Sequence, residues 1–264
     1  MSIDDPDLTL FAERGLDLPP GGAERVMDST GARMWAASFG EGPAVILLHG
    51  GLGHSGNFAN QVGPLVAAGY RVVVVDSRGH GRSTRDSRPF SYELMAADVS
   101  AVMDWLDVDY ASIVGWSDGA CTGMLLALME PQRVRSLYFF ACNVDPSGTK
   151  DLEFTPELQR CFGRHVADYE RLSPVGDFDR LGDDLGEMQR TQPNLSPQQL
   201  AAVRVPVTVV LGENDEFIRR EHAEYLARSI PGARFELLPG VSHFAPIQRP
   251  AMFTDSVLRF LAAE

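Results

Sequence analysis

The sequence has few cysteines and no long apolar run. Its three cysteines, Cys121, Cys142 and Cys161, are too few and too scattered for a disulfide framework or a zinc site. No apolar run reaches the roughly 18 residues of a membrane-spanning helix. The stretch 1–22 is acidic and rich in Pro and Gly, unlike a secretory signal. We therefore predict a protein of a reducing, cytoplasmic compartment.

Basic residues are also scarce relative to acidic ones. Against 36 Asp and Glu the chain has 23 Lys and Arg, a formal net charge of −13. Such a surface repels phosphate backbones and anionic headgroups, so we expect neither nucleic acid nor membrane as a partner. The 264 residues, 44% hydrophobic and 22% charged, are typical of one folded domain with or without an insertion.

From residue 24 onward, short β-rich runs alternate with amphipathic helical runs. This pattern predicts an α/β fold with a mostly parallel sheet of eight strands and helices on both faces, the first two strands joined as a hairpin at Ser29-Thr30-Gly31. The predicted strands are 24–28, 32–38, 44–48, 71–76, 111–115, 134–141, 206–211 and 233–238. The predicted helices are about 57–68, 92–106, 118–129, 219–229 and 250–262.

The alternation is interrupted at residues 143–204, which contain no convincing strand, several Pro and Gly, and short helical patches. An excursion of this length is too long for a structureless loop in a compact domain, so we predict a packed helical cap. The predicted organisation is an N-terminal extension (1–23), a core in two parts (24–142 and 205–264) and the cap (143–204).

A strand, a Gly-Trp-Ser-Asp-Gly motif and a helix follow one another around Ser117. In this context the two glycines allow a sharp turn that leaves the serine hydroxyl exposed at the carboxyl end of the sheet, so Ser117 is the predicted nucleophile. The alternative is an ordinary glycine-rich turn with an N-capping serine. The strand and helix on either side favour the nucleophile.

A nucleophilic serine needs donors for the oxygen that becomes negative. One is the backbone N–H of Asp118, and the second is expected from the Gly-rich loop after the strand 44–48, with Gly51 preferred and Leu52 next. His49 in this loop is interpreted as a packed anchor. The carboxylate of Asp118 has two possible roles: stabilising the first turn of the following helix, or facing the pocket and pairing with a cation of the substrate.

The serine also needs an imidazole base and a carboxylate that orients the imidazole. His243 follows the last predicted strand in a loop that can reach the carboxyl edge, whereas His165 falls in the predicted cap and His222 on a helix face where a solvated histidine is expected. Asp215, in the turn after a buried strand, is the predicted acid. Asp145, after the preceding strand, is the alternative.

The loop after the strand 44–48 also matches a dinucleotide fingerprint. Gly51, Gly53 and Gly56 fit G-x-G-x-x-G, and Asp76 ends the next predicted strand. The alternative function is an NAD-binding oxidoreductase. It leaves the serine motif and the His243 loop without explanation.

Together these motifs resemble the α/β-hydrolase fold family over almost the whole chain. The resemblance rests on Leu-Leu-His-Gly-Gly (47–51), Asp-Ser-Arg-Gly-His-Gly-Arg-Ser (76–83), the serine motif (115–119), Gly-Glu-Asn-Asp (212–215) and Val-Ser-His-Phe (241–244). It implies that 143–204 is a cap over the pocket. A serine in the motif is similar to esterases, lactonases and carbon–carbon bond hydrolases, and Trp-Ser-Asp-Gly is similar to biphenyl-hydrolase-like enzymes that act on amino-acid esters.

The resulting prediction is a serine hydrolase that cleaves a small ester or lactone through an acyl-enzyme on Ser117, without metal or cofactor. The alternatives are a carbon–carbon bond hydrolase and a small-molecule receptor of the same fold. The predicted pocket residues are Leu52, Trp116, Phe217 and Phe244.

Overall fold

An eight-stranded sheet forms the centre of the protein, in a computed structural model that describes residues 5–29 and 31–263. Its strands are β1 (Ala23–Ser29), β2 (Ala32–Phe39), β3 (Ala44–Leu48), β4 (Arg71–Asp76), β5 (Ala111–Trp116), β6 (Val134–Phe140), β7 (Val207–Gly212) and β8 (Arg234–Leu238). They lie in the order β1-β2-β4-β3-β5-β6-β7-β8, and β2 pairs antiparallel with both β1 and β4. All other pairs are parallel, which confirms the predicted sheet.

The central strands are apolar and buried along their length. Val45–Leu48 of β3 and Val72–Val75 of β4 are at most 1% exposed, because helices cover both faces of the sheet. β1, at the edge, is mostly exposed. The mutually parallel strands β3, β4, β5, β6, β7 and β8 end at one edge, so the loops that follow them meet there.

Ten α-helices surround the sheet within the described residues. They are α1 (Pro6–Arg14), α2 (Ala59–Ala67), α3 (Tyr92–Trp105), α4 (Asp118–Met129), α5 (Pro156–Leu172), α6 (Phe178–Thr191), α7 (Pro197–Ala202), α8 (Arg220–Ser229), α9 (Ala245–Gln248) and α10 (Pro250–Ala262). Local sequence sets several starts: the Ser91 side chain caps α3, and Thr155 caps α5 ahead of a proline in its first turn. None of these helices is long and apolar enough to span a bilayer.

Three of the helices, α5, α6 and α7, lie between β6 and β7, in the segment 143–204 that interrupts the alternation. We call this the inserted segment. Helices α5 and α6 are amphipathic, and each turns a few apolar side chains inward, among them Leu158 and Tyr169 of α5 and Leu185 of α6.

Within the stretch predicted as an N-terminal extension, the structure contains α1. Its cap Asp5 accepts hydrogen bonds from the backbone N–H groups of Asp7 and Leu8, and Leu8 and Phe11 are buried. The helix packs against α5 and α9. Residues 1–4 of the predicted extension, and Thr30 of the predicted hairpin turn, lie outside the described residues.

The interpretation of His222 as a solvated histidine is wrong. Its side chain is 7% exposed, and its Nε2 accepts a hydrogen bond from the backbone N–H of Val144 at 3.0 Å. Burial lowers the pKa of His222, so the ring is neutral and serves as an acceptor that ties α8 to the loop after β6. The helix face that carries His222 is turned toward the protein, which the local sequence pattern did not indicate.

Candidate active site

Ser117 lies on a strained turn between β5 and α4. Its backbone has φ 54° and ψ −123°, a region that residues other than glycine rarely adopt. Hydrogen bonds from Ser117 N to Phe140 O (2.9 Å) and from Ala120 N to Ser117 O (2.7 Å) hold the turn. The serine side chain therefore stands at the carboxyl edge of the sheet and at the start of a helix.

Both glycines of the motif are required by close packing. A Cβ at Gly119 would lie 2.0 Å from the carbonyl oxygen of Leu48, and one at Gly115 would lie 2.4 Å from the Cα of Ala120. Neither contact can be relieved by rotating a side chain, because both involve backbone atoms. The sequence motif thus has a physical basis in the approach of α4 to β3 and β5.

His243 and Asp215 form a buried hydrogen-bonded pair. The His243 Nδ1 lies 2.9 Å from Asp215 Oδ2, and Asp215 Oδ1 accepts from the backbone N–H groups of Phe217 (2.8 Å) and Ile218 (2.7 Å). Pairing through Nδ1 leaves Nε2 available to a substrate or nucleophile. Burial opposes the charged imidazolium, but the charge and hydrogen bond of Asp215, together with the charges of Glu216 and Asp118, outweigh it and raise the pKa of His243.

Asp145, the alternative acid, has a different local role. Its carboxylate accepts from the backbone N–H of Ser147 at 2.9 Å and caps the short 3-10 helix Pro146–Gly148. Its contacts among the described residues do not include His243. Of the two acids, the structure brings only Asp215 to the histidine.

The glycine-rich loop after β3 passes directly over the serine. An ideal Cβ on Gly50 would lie 3.2 Å from the Cβ of Ser117, and one on Gly51 would lie 2.5 Å from Asp118 Oδ2. Leu52 has φ 63°, so the chain turns sharply here. His49 anchors the loop, since its Nε2 accepts from the backbone N–H of Ser77 at 3.0 Å and its ring is 1% exposed.

A cavity of about 170 Å³ opens above Ser117. The structure places His243, Gly51, Asp118 and all four predicted pocket residues in its wall, namely Leu52, Trp116, Phe217 and Phe244. Sequence reasoning missed other wall residues that come from distant parts of the chain: Asn57, Tyr92, Phe162, His165 and Gln189. None of these belongs to a local motif.

Comparisons with known proteins agree with this architecture. A family model of the alpha/beta hydrolase fold matches residues 43–168. The mouse sn-1-specific diacylglycerol lipase ABHD11 is 29% identical over 83% of this chain and 81% of its own length. The mouse serine hydrolase BPHL is 28% identical over 84% and 80%. The chain has the α/β-hydrolase fold.

Other relatives differ in the activity that their names state. The 2-hydroxy-6-oxo-6-phenylhexa-2,4-dienoate hydrolase of Burkholderia cepacia is 28% identical over 84% of this hydrolase and 89% of its own length. A solved structure of Est816, described as an N-acyl homoserine lactone degrading enzyme, has a TM-score of 0.77 at 25% identity and covers 89% of this chain and 100% of its own. The enol-lactonase from Burkholderia xenovorans LB400, at 22% identity and TM-score 0.75, covers 90% and 100% and shares the fold.

The Asp118 carboxylate of this hydrolase lies in the cavity wall and is 3% exposed. Its Oδ1 accepts from the Tyr92 hydroxyl at 2.7 Å, and its Oδ2 accepts from Gln189 Nε2 at 2.9 Å. Both donors are neutral, so they orient the negative charge without neutralising it. Gln189 belongs to α6, and the contact therefore joins the inserted segment to the turn that carries Ser117.

Asp76 of the dinucleotide fingerprint is committed to internal contacts. The carboxylate is fully buried, with Oδ1 accepting from Ser55 N (2.8 Å) and Oδ2 from Arg82 N (2.8 Å) and Nη1 (3.0 Å). It ties the loop after β3 to the loop after β4 and presents no free oxygen to a ribose. The geometry of this pair of loops does not support the oxidoreductase alternative.

The inserted segment is also joined to the loop that carries Asp215. Lys150, the single lysine of the sequence, donates from Nζ to the carbonyl oxygen of Asp215 at 2.5 Å and from its backbone N–H to Phe217 O at 2.7 Å. Glu216 accepts a hydrogen bond from the backbone N–H of His243 at 3.0 Å. The positions of Asp215 and His243 thus depend on contacts beyond the 2.9 Å hydrogen bond between them.

Proposed function

We propose that this hydrolase cleaves a small ester or lactone through an acyl-enzyme on Ser117. The observation that carries the proposal is the buried His243–Asp215 pair, 2.9 Å between Nδ1 and Oδ2, in the wall of the same cavity as a serine on a strained turn. A paired imidazole of this kind is the base that a weakly nucleophilic hydroxyl requires.

The reaction follows from these positions. Nε2 of His243 takes the Ser117 proton as Oγ attacks the substrate carbonyl, and the backbone N–H groups of Gly51 and Asp118 stabilise the oxyanion. The imidazolium, stabilised by Asp215, then protonates the leaving alcohol, and the acyl-enzyme forms. Water, activated by His243, attacks the acyl carbonyl, and collapse of that intermediate returns the proton to Ser117. We propose that the inserted segment acts as a cap that excludes bulk water during these steps.

Charge favours an ester or lactone over an anionic dienoate. Among the described residues that line the cavity, none is Arg or Lys, and Asp118 contributes a carboxylate. A substrate carboxylate would lose its hydration there without gaining a cationic partner, which is costly. This observation separates our proposal from the activity named for the Burkholderia cepacia relative.

The volume of the cavity limits the size of the acyl group that it can hold. A cavity of about 170 Å³ is close to the ~150 Å³ of an engineered protein cavity that holds benzene. Aromatic side chains form much of its wall, including Phe162, Phe217 and Phe244. We therefore expect short or compact acyl groups to be turned over faster than long ones.

The test is hydrolysis of p-nitrophenyl esters with acyl chains from acetate to decanoate, together with active-site labelling by a fluorophosphonate. We expect turnover that peaks at short chains and label on Ser117. Ser117→Ala lowers turnover by ~10⁴-fold or more and abolishes labelling, since a triad acts as a unit. Ser147→Ala, at an exposed serine outside the cavity wall, retains both properties.

Retention of a tenth of native turnover by Ser117→Ala would contradict the serine mechanism. The carbon–carbon alternative predicts cleavage of a 2-hydroxy-6-oxodienoate in preference to every ester of the series. A receptor of this fold would bind a small molecule, leave the esters intact and take no label.

A further inference from the structure

Three buried nitrogen atoms in the cavity wall have no hydrogen-bond partner among the described residues. They are Asn57 Nδ2, Trp116 Nε1 and His165 Nδ1, and the three side chains are 0%, 3% and 4% exposed. All three residues line the cavity above Ser117. An unpartnered buried polar group is costly in free energy and is rare in folded proteins, so these groups point to a partner supplied by a bound molecule.

Asn57 and Trp116 can only donate at these atoms. The Oδ1 of Asn57 accepts from the backbone N–H of His54 at 3.0 Å, which assigns the other end of the amide as the NH₂ group. An indole nitrogen is a donor in every state. Residues of the wall therefore carry at least two buried N–H groups without an acceptor among the described residues.

His165 belongs to α5 of the inserted segment and is neutral. Burial, with His54 nearby, lowers the pKa of His165 to about 4. Its ring stacks on Phe244 at 6.2 Å between centroids, and the edges of Phe11 and Phe162 hold it from other sides. A neutral imidazole held in this way has one N–H and one lone pair, and it can bind an uncharged polar group without adding charge.

The charge of the cavity restricts the partner further. The Asp118 carboxylate shares the cavity, and no Arg or Lys is found among the described residues of its wall. An anionic acceptor is therefore disfavoured, while a keto, ether or hydroxyl oxygen can accept from these nitrogens without electrostatic cost.

We infer that the substrate carries an uncharged oxygen acceptor in addition to its scissile ester, and that His165 is a residue that determines specificity for it, with Trp116 and Asn57 as further donors. This inference rests on the proposed function. The substrate class is then small esters or lactones whose acyl or alcohol part carries a further oxygen atom. Esters with purely hydrocarbon acyl and alcohol parts lie outside it.

The experiment compares esters that differ by one oxygen. In the first pair, p-nitrophenyl 3-methoxypropanoate is compared with p-nitrophenyl pentanoate. In the second, 2-methoxyethyl acetate is compared with butyl acetate, so that the two pairs locate the oxygen in the acyl or the alcohol part. Each kcat/KM is divided by the hydroxide-catalysed rate of the same ester, which removes differences in intrinsic reactivity.

We expect the normalised kcat/KM of the native enzyme to be about tenfold higher for the methoxy-bearing member of one pair. One hydrogen bond to a buried donor accounts for a ratio of this size. His165→Leu brings this ratio close to one, and His165→Gln, which restores an N–H, recovers part of it. Ile218→Val is the matched control in the cavity wall, because it changes cavity shape without removing a polar side-chain atom, and it keeps the ratio.

Trp116→Phe gives an independent measurement, since it removes the indole N–H while keeping an aromatic ring. A lowered ratio in this variant supports the inference even where His165→Leu does not fold. A native ratio near one for both pairs overturns the inference, as does a ratio that His165→Leu and Trp116→Phe both leave intact. Absence of turnover for all four esters contradicts the proposed function and this inference with it, whereas equal rates contradict the inference alone.

Discussion

The loops that hold Asp215 and His243 differ from the part of the cavity wall that contains Asn57 and His165. The difference lies in how many of their polar side-chain atoms have hydrogen-bond partners. Both carboxylate oxygens of Asp215 are bound, one by two backbone N–H groups and one by His243. In the cavity wall, nitrogens of Asn57 and His165 are buried without a partner in the part of the chain that the structure describes. The protein thus completes the contacts of the groups proposed to react and leaves open those proposed to meet the substrate.

The two regions also differ in how they are held. Asp215 and His243 follow parallel strands, and the backbone of the sheet determines where those strands end. Helix α5 of the inserted segment contacts the core through side chains: Asp168 lies 3.5 Å from His54 of the loop after β3, and its carboxylate is also paired with Arg164 (2.9 Å) and Arg171 (3.1 Å) of its own helix. We therefore expect substitutions at the strand ends to affect the chemical step and those at the boundary with the inserted segment to affect substrate preference.

The largest effect on kcat is expected at Asp215, the proposed acid. Asp215→Asn should lower kcat by about 10⁴, because the amide favours the wrong imidazole tautomer. Asp145→Asn, at a carboxylate that caps a 3-10 helix, should change kcat by less than about threefold, as substitutions away from the reacting groups usually do. Steady-state kinetics on one p-nitrophenyl ester compares both variants, and the reverse ranking would assign the acid to Asp145.

An intermediate effect is expected at Asp118, where the two regions meet. Among the described residues, the hydrogen-bond donors to its carboxylate are the neutral Tyr92 and Gln189, so Asp118→Asn should slow an α-amino ester by roughly tenfold at an effective dielectric constant near 20. The same variant should hydrolyse the uncharged counterpart as fast as the native enzyme or faster, since it removes a charge that opposes the oxyanion.

The measurement for Asp118 is kcat/KM for the amino ester and its uncharged acyl counterpart in both proteins. Opposite responses of the two substrates mark an electrostatic role in the cavity. Equal losses on both would restrict Asp118 to orienting the turn around Ser117.

The smallest effect is expected at Glu216, whose substitution should shift the pH profile of kcat/KM. The charge of Glu216, like that of Asp215, raises the pKa of His243, and the base must be neutral to act. Native kcat/KM should therefore fall as pH decreases through a value above the ordinary ~6.5 of histidine. In Glu216→Gln this acid limb should move to lower pH, while the amide oxygen still accepts from the His243 backbone.

The matched control for this shift is Glu213→Gln, at an exposed carboxylate in the same loop that binds the backbone N–H of Gly240. Its pH profile should coincide with that of the native enzyme. An unchanged profile in Glu216→Gln would show that the carboxylate has only a hydrogen-bonding role.

Local patterns in the sequence were sufficient to predict the sheet and the positions of the proposed triad residues. Short β-branched and apolar runs such as 44–48 and 72–75 favour strands that are covered on both faces, and the glycines at 115 and 119 are required by backbone contacts next to Ser117. Because parallel strands end at one edge, residues placed just after them were predicted to converge there. These inferences needed only neighbours in the chain and the geometry of a parallel sheet.

The tertiary structure alone decided which side chains face the cavity and in what charge state. Tyr92 and Gln189 meet Asp118 across 26 and 71 positions of sequence, and no local spacing encodes such contacts. Likewise, His222 is an acceptor and His165 a neutral ring because of the elements packed over them, not because of their own helices. The physical reason is that burial and pairing depend on the packing of distant segments, whereas strand and turn formation depend mainly on residues close in the chain.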